Sequence, residues 1–296
     1  MSHLGSETSS AEAIGRSARR PLSELTPMER LAYRTADFFA RRLRGLVYLW
    51  NITFVATVAR LAVGRRLRVV GLEKLKAFDR KSRIVVVANH RSFFDFFTIA
   101  YVIATRAKLP RRFFFPVRST FFYENPIGML INLLMSGMSM FPPILRDPKR
   151  ARFNRFSIER TLELLEVPGT MVGIHPEGTR NKGDDPYRFL KAKPGVGKVV
   201  LEAEGAAVLP VFIHGLTNSL AQEFRRNWLQ PAAHPIYVIF GEALDFEDLR
   251  REGSGPGPRR RAAERCLEAI AELARIERSL RAGGKADEKA PPLDTP

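Results

Sequence analysis

The stretch that most constrains this chain is Ile84-Val-Val-Val-Ala-Asn-His-Arg-Ser-Phe-Phe-Asp95. Four apolar, mostly β-branched residues in a row predict a buried strand over Ile84–Ala88. Ser92, with an acid three residues later and an apolar run beyond, predicts a cap and a helix start. A strand running straight into a helix calls for α/β architecture, and it places His90 and Asp95 at the mouth of the junction. An imidazole there can accept a proton from an alcohol near neutral pH. A carboxylate on its other ring nitrogen would fix the tautomer and stabilise the imidazolium. The same residues also fit a purely structural role, with Asp95 as a capping-box acid and His90 as a turn residue. No Ser or Cys nucleophile sits in an elbow such as G-x-S-x-G, so the pair points to direct attack by an activated substrate hydroxyl.

The remainder extends the α/β pattern. Residues 1–27, rich in Ser, Ala and Arg, are expected to form a disordered arm without a secretory h-region. Thr26-Pro27 predicts a helix start. Residues 28–66 are expected to form an amphipathic helical membrane-association element. Its uncharged run Gly45–Ala59 is flanked by Arg41, Arg42 and Arg44 on one side and by Arg60, Arg65 and Arg66 on the other. As a helix that run spans about 22 Å, short of a ~30 Å hydrocarbon core, so it is read as dipping into one leaflet, with a buried core helix as the alternative. Strands are expected at Leu67–Val70, Ile84–Ala88, Phe113–Val117, Ser139–Ile144, Thr170–Ile174, Ala207–Ile213 and Ile236–Phe240, with helices over Phe93–Thr105, Asp147–Glu166 and Gly195–Glu204. They define a 67–250 catalytic domain: a central mixed sheet flanked by helices. The uncharged segment Asn125–Leu145, broken by prolines and glycines, is read as a short helix and a strand emptying onto Arg146. Residues 259–281 predict a C-terminal amphipathic helix with Leu267, Ile270, Leu273, Ile276 and Leu280 on its core face. Residues 282–296 predict a disordered tail.

A second constellation is His175-Pro-Glu-Gly-Thr-Arg180, at the end of a predicted strand. Gly178 permits close backbone approach, Thr179 offers a hydroxyl, and Arg180 offers a planar fork matched to phosphate oxygens. Arg146 and Lys193 are further phosphate candidates, each also readable as a solvated surface charge. The five histidines lack i, i+4 pairing, and the one cysteine, Cys266, cannot build a thiolate site, so no metal is expected. No P-loop or dinucleotide loop is present. The excess of 48 Lys+Arg over 31 Asp+Glu, net +17, draws the chain to polyanions. The basic residues are spread out and match no nucleic-acid motif, which favours an anionic membrane over nucleic acid.

In order, Asn89–Asp95, Phe141–Arg146, Pro176–Arg180 and Val208–Val211 resemble the four motifs of the glycerolipid acyltransferases, over about residues 30–245. The resemblance implies a membrane-associated O-acyltransferase with lysophosphatidic acid as acceptor, phosphatidic acid as product, and acyl-CoA or acyl-acyl carrier protein as donor. It implies His90 as general base oriented by Asp95. Arg146, Glu177, Gly178, Thr179 and Arg180 would hold or shape the acceptor phosphate site, followed by Lys193 and Gly195, with Pro210 in the fourth motif. No cofactor is implied beyond the acyl donor as co-substrate. The cytoplasmic membrane face is the expected location, with peripheral or monotopic attachment. His175 stands where the family usually has Phe, and Asn181 replaces a frequent Ser. Alternatives are acylation of another lysophospholipid, glycerol-3-phosphate or an ornithine-type lyso-lipid, or a non-enzymatic basic protein binding nucleic acid or lipid.

Overall fold

A computed structural model of the chain describes residues 22–109 and 111–283. The expectations for 1–21 and 284–296 lie outside the described residues. The chain divides into two compact units. One contains the described residues up to Val47 together with Pro116–Thr161, and the other contains Tyr48–Phe115 and the described residues from Leu162 onward. The 67–250 stretch expected to be one catalytic domain is therefore shared between the two, because the 116–161 excursion makes its contacts with the N-terminal helix instead.

In chain order the elements are α1 (Pro27–Arg42), α2 (Arg44–Trp50), a π-helical turn (Asn51–Val55), α3 (Ala56–Val63), β1 (Leu67–Val70), β2 (Ile84–Ala88), α4 (Asp95–Val102), β3 (Arg112–Phe114), β4 (Val117–Arg118), α5 (Ser119–Phe122), α6 (Pro126–Ser136) and β5 (Pro143–Ile144). There follow α7 (Ala151–Leu165), β6 (Thr170–Ile174), α8 (Pro194–Glu202), β7 (Ala207–His214), α9 (Leu220–Leu229), β8 (Ile236–Phe240), α10 (Glu247–Arg251) and α11 (Pro256–Arg281).

The larger unit is built on a six-stranded sheet in the order β1-β8-β7-β2-β6-β3. β7, β2, β6 and β3 run parallel, and β8 with β1 runs against them, so the sheet is mixed as expected. β2 lies at its centre, in register with β6 at Val87↔Ile174 and with β7 at Ala88↔Val211. All five β2 residues are buried. A strand covered on both faces needs a continuous apolar run instead of alternation, and each buried aliphatic side chain there contributes about 1.5–3 kcal/mol. The parallel arrangement brings the carboxyl ends of β2, β6 and β7 to one edge, where open α/β sheets collect ligands.

Arg66, read as flanking a membrane segment, is structural instead, while Arg65 stays exposed. The Arg65 guanidinium lies over the Trp228 ring. Arg66 is fully buried and donates to Glu223 at 2.5 Å, to the Gly215 carbonyl at 2.9 Å and to the His234 carbonyl at 2.6 Å. Glu223 in turn accepts from the Thr217 amide and hydroxyl, both at 2.6 Å. A buried pair survives only when its remaining hydrogen-bonding capacity is met, and here that requirement fixes the turn after β7. The C-terminal helix starts at Pro256, three residues before the expected start at 259. It buries Ala262, Ala263, Cys266, Ile270, Leu273, Ala274 and Glu277, whereas Leu267, Ile276 and Leu280 are only half-buried. Its small-residue face allows closer packing than the leucine stripe would.

From Arg44 to Val63 the backbone is continuously helical for 20 residues. It is long and apolar enough to cross a membrane by length and composition. The expected 15-residue run was shorter because Arg60 was taken as an end, while the helix carries through it. Leu46, Leu49, Ile52 and Phe54 are exposed, against the alternative of a buried core helix.

The smaller unit is organised by α1, whose start is closed by a capping box between Thr26 and Glu29. Residues 22–26 belong to it and not to a disordered arm: Leu25 is buried and Arg30 donates to the Leu22 and Leu25 carbonyls. Of the strand expected over 139–144, only Pro143–Ile144 forms. The left-handed backbone at Gly137 and Met138 turns the chain, and Asn132 then holds the Met140 amide and carbonyl.

Candidate active site

Three strand ends supply the site. From β2, Asn89 extends the sheet with its side chain: its amide nitrogen donates to the Ile213 carbonyl and its oxygen accepts from the Ile213 amide, both at 2.8 Å. This clamps the chain to β7 one residue before His90. The predicted cap at Ser92 differs in detail. The helix opens at Asp95 itself, while the Ser92 hydroxyl donates to the Thr217 carbonyl and accepts from the Phe94 amide.

His90 Nδ1 lies 3.1 Å from Asp95 Oδ2, and the same oxygen accepts from the Arg91 and Ser92 amides at 2.8 Å each. Asp95 is thus both a helix-start acid and a partner of His90, through a single oxygen. With Asp95 accepting, Nδ1 carries the hydrogen and Nε2 is the basic nitrogen. Burial pushes the Asp95 carboxyl up to about 6, partly offset by His175, by the Ser92 and Arg91 amides and by the Arg91 charge. The carboxylate is ionised at neutral pH and protonates on mild acidification. Since the raised value favours the acid form in the folded state, loss of the carboxylate proceeds as pH falls through about 6. We expect kcat/KM for the reaction below to be flat near pH 7–8 and to drop roughly tenfold per unit under about pH 6 as the coupled His90–Asp95 pair takes up a proton, read from a buffered pH–rate profile.

From β6 comes Glu177. It was expected to hold or shape the acceptor phosphate site, and it is fully buried. One oxygen accepts the His90 amide at 3.0 Å and the other the Leu190 amide at 2.9 Å. Glu177 is therefore a brace that locks the backbone of His90 to the loop after Arg180. Burial raises its pKa, against the pull of those two amides. The Asn181 amide closes the brace by donating to the His90 carbonyl at 2.7 Å. Gly178 has φ +63, and a Cβ there would sit 2.9 Å from Lys193 Cγ, so the turn requires glycine on both counts.

Arg180 is exposed at the same edge. Its guanidinium donates to Asn218 Oδ1 at 2.8 Å, and that oxygen also accepts from the Phe93 amide at 2.9 Å. Asn218, in the turn after β7, thus sets Arg180 beside the entry to α4. Thr179 is half-buried next to it. The Lys193 amide bonds the Pro176 carbonyl at 2.8 Å, which brings the start of α8 and Gly195 against the β6 turn. Pro210 lies elsewhere: it is buried within β7, paired with Val87, one residue before the antiparallel ladder to β8 begins. A residue without an N–H fits that position, and Pro210 is a packing element of the sheet. Arg146 is exposed beyond β5, in the smaller unit.

Sequence reasoning missed Asn218, Asn89 and the brace made by Glu177, because each acts through partners outside its own motif: 124 residues away for Asn89, 38 and 125 for Asn218, and 87 and 13 for Glu177. It also missed that His90, Asp95 and His175 bring ligand-type atoms within 4.8 Å of one another. The His90 and His175 rings are parallel, 3.8 Å between centroids and 7° apart in plane, and His175 Nδ1 is committed to the Ala88 carbonyl at 2.9 Å. In-plane lone pairs of stacked rings run side by side instead of converging on one ion, so the set fits a metal poorly.

Residues 66–214 match the model of a family described as Acyltransferase. A protein of Borreliella burgdorferi named 1-acyl-sn-glycerol-3-phosphate acyltransferase is 23% identical over 186 residues, covering 63% of this chain and 64% of its own length. This chain thus spans less than two thirds of that relative.

Proposed function

The chain belongs to the acyltransferase family, and on that premise we propose that it transfers a fatty acyl group from acyl-CoA or acyl-acyl carrier protein to the free hydroxyl of lysophosphatidic acid, giving phosphatidic acid. The observation that carries this is the His90 Nδ1–Asp95 contact at 3.1 Å with Arg180 fixed at the same sheet edge. His90 Nε2 takes the acceptor hydroxyl proton as that oxygen attacks the thioester carbonyl. The tetrahedral intermediate collapses, the C–S bond breaks, and the imidazolium returns its proton to the departing thiolate. Asp95 holds the imidazolium throughout. Arg180 supplies the planar fork for the acceptor phosphate. The distant relative's name supports a lysophosphatidic acid acceptor, and Arg180 supports a phosphate-bearing one.

An acceptor panel in detergent tests this. Lysophosphatidic acid is expected to outpace phosphate-free lyso-lipids, and Arg180→Ala to raise its KM by about 10–100-fold with a smaller change in kcat. A phosphate-free acceptor that is preferred, and is untouched by Arg180→Ala, would reject the assignment.

Membrane association completes the proposal. The helix Arg44–Val63 exposes Leu46, Leu49, Phe54 and Leu61, and α6 exposes Ile127, Leu130 and Leu134, on a chain of net charge +17. Such surfaces suit the cytoplasmic face of an anionic bilayer, with peripheral or monotopic attachment. Changing Leu46, Leu49 and Phe54 together to Glu is expected to release the protein from sedimenting anionic vesicles. Undiminished pelleting would remove the role of this helix.

A further inference from the structure

His175 is the residue in the site with no task in the mechanism above. It directly follows β6 and is half-buried. Its ring is stacked on His90 at 3.8 Å with a 7° interplanar angle, and the Phe96 ring is 4.1 Å away. Phe96 gains this position because Gly173 has no side chain: a Cβ there would lie 2.6 Å from the Phe96 ring. The Ala88 carbonyl can only accept, so the 2.9 Å contact to His175 Nδ1 fixes that nitrogen as N–H. The ring is therefore anchored in plane by a strand-end carbonyl two residues before the base, and its π face is turned to the base.

On the reading of His90 as general base, we propose that His175 is a positioning residue, an anchored imidazole whose face holds the His90 ring and stabilises its protonated form. A cation above an aromatic face is attracted by the ring quadrupole, and a parallel stack limits rotation of His90 about its own side chain. The role requires His175 to stay neutral, since a second imidazolium would repel the first. Burial pushes it down to about 3, and the neighbouring His90 acts in the same direction. Asp95 and the backbone at Ala88 and Asn89 pull the other way. The ionisable groups around the stacked pair are Asp95, Glu177 and Arg91. The family's usual Phe would offer a face without the anchor; His offers both.

Two variants separate the two parts. His175→Asn keeps an N–H for the Ala88 carbonyl and removes the ring, while His175→Phe keeps a ring and removes the N–H. His175→Asn is expected to lower kcat/KM about tenfold and to move its acid limb down by about half a pH unit, with KM for lysophosphatidic acid little changed. His175→Phe is expected to keep the limb at the wild-type pH. A role in folding alone would lower the melting temperature of both variants and leave both limbs in place. Unmoved limbs in both variants, or equal shifts in both, would overturn the proposal. Histidine 15N shifts of the wild-type protein give a check that needs no variant. His175 is expected to remain neutral and Nδ1-protonated from pH 5 to 9, and a His175 that titrates in that range would also overturn it. His90→Ala assayed alongside keeps the outcomes distinct. If it retains activity, the base assignment fails. If it is inactive while His175→Asn behaves as wild type, only the role of His175 fails.

Discussion

His90→Ala is expected to lower kcat for acyl transfer by about a thousandfold, within the 10²–10⁴ range for loss of a positioned general base. KM for lysophosphatidic acid should change little, because the phosphate contact is assigned to Arg180. The fold should survive. The His90 backbone amide and carbonyl, which bond Glu177 and Asn181, are retained in alanine. The His90 side chain is itself partly exposed, so its loss leaves no large buried void. Asp95 would keep its two amide donors. Circular dichroism and melting temperature should therefore match wild type while turnover collapses. Wild-type turnover in a folded His90→Ala protein would remove the base assignment.

Glu177→Ala has the other large expected effect, and it falls on stability. Both carboxylate oxygens accept buried backbone amides, from His90 and Leu190. Truncation leaves two donors without acceptors, at about 1–3 kcal/mol each, or roughly 2–6 kcal/mol together. For a chain of this size each kcal/mol moves the melting temperature by about 2–4 °C, so a drop on the order of 10 °C is expected. Glu177→Gln should not restore it, because one oxygen becomes an NH2 that faces an N–H donor. Activity should fall along with stability, since the brace sets the backbone of the base. If Glu177 instead held the acceptor phosphate site, Glu177→Ala would melt like wild type and show only a raised KM.

These two variants also mark where the sequence was legible. The β2 run, the turn at His90 and the acid at Asp95 lie within twelve residues, so local pattern and spacing were enough to place an imidazole beside a carboxylate at a strand end. The mixed sheet followed from apolar runs of strand length. Glu177 was readable as part of a motif but not as a brace, because its partners at His90 and Leu190 are set by sheet order, which no local period encodes. The same holds for Asn218, whose hold on Arg180 depends on β7 lying next to β2. Arg66 looked like a membrane-flanking arginine because its buried partner Glu223 is 157 residues away. The 116–161 excursion was assigned to a single catalytic domain because strand-like and helix-like runs carry no mark of which unit they join. His175 stood out from the residues only as a departure from the usual Phe, and the stacked geometry is what gives it a role.

We propose that this chain acylates lysophosphatidic acid through an activated hydroxyl. The most direct measurement is the fate of the acyl group when purified protein in detergent is given radiolabelled oleoyl-CoA and lysophosphatidic acid. The label is expected in phosphatidic acid, with one free thiol released per acyl group transferred and the rate falling below about pH 6. Label recovered as free fatty acid at the same rate with and without the lyso-lipid would contradict the account.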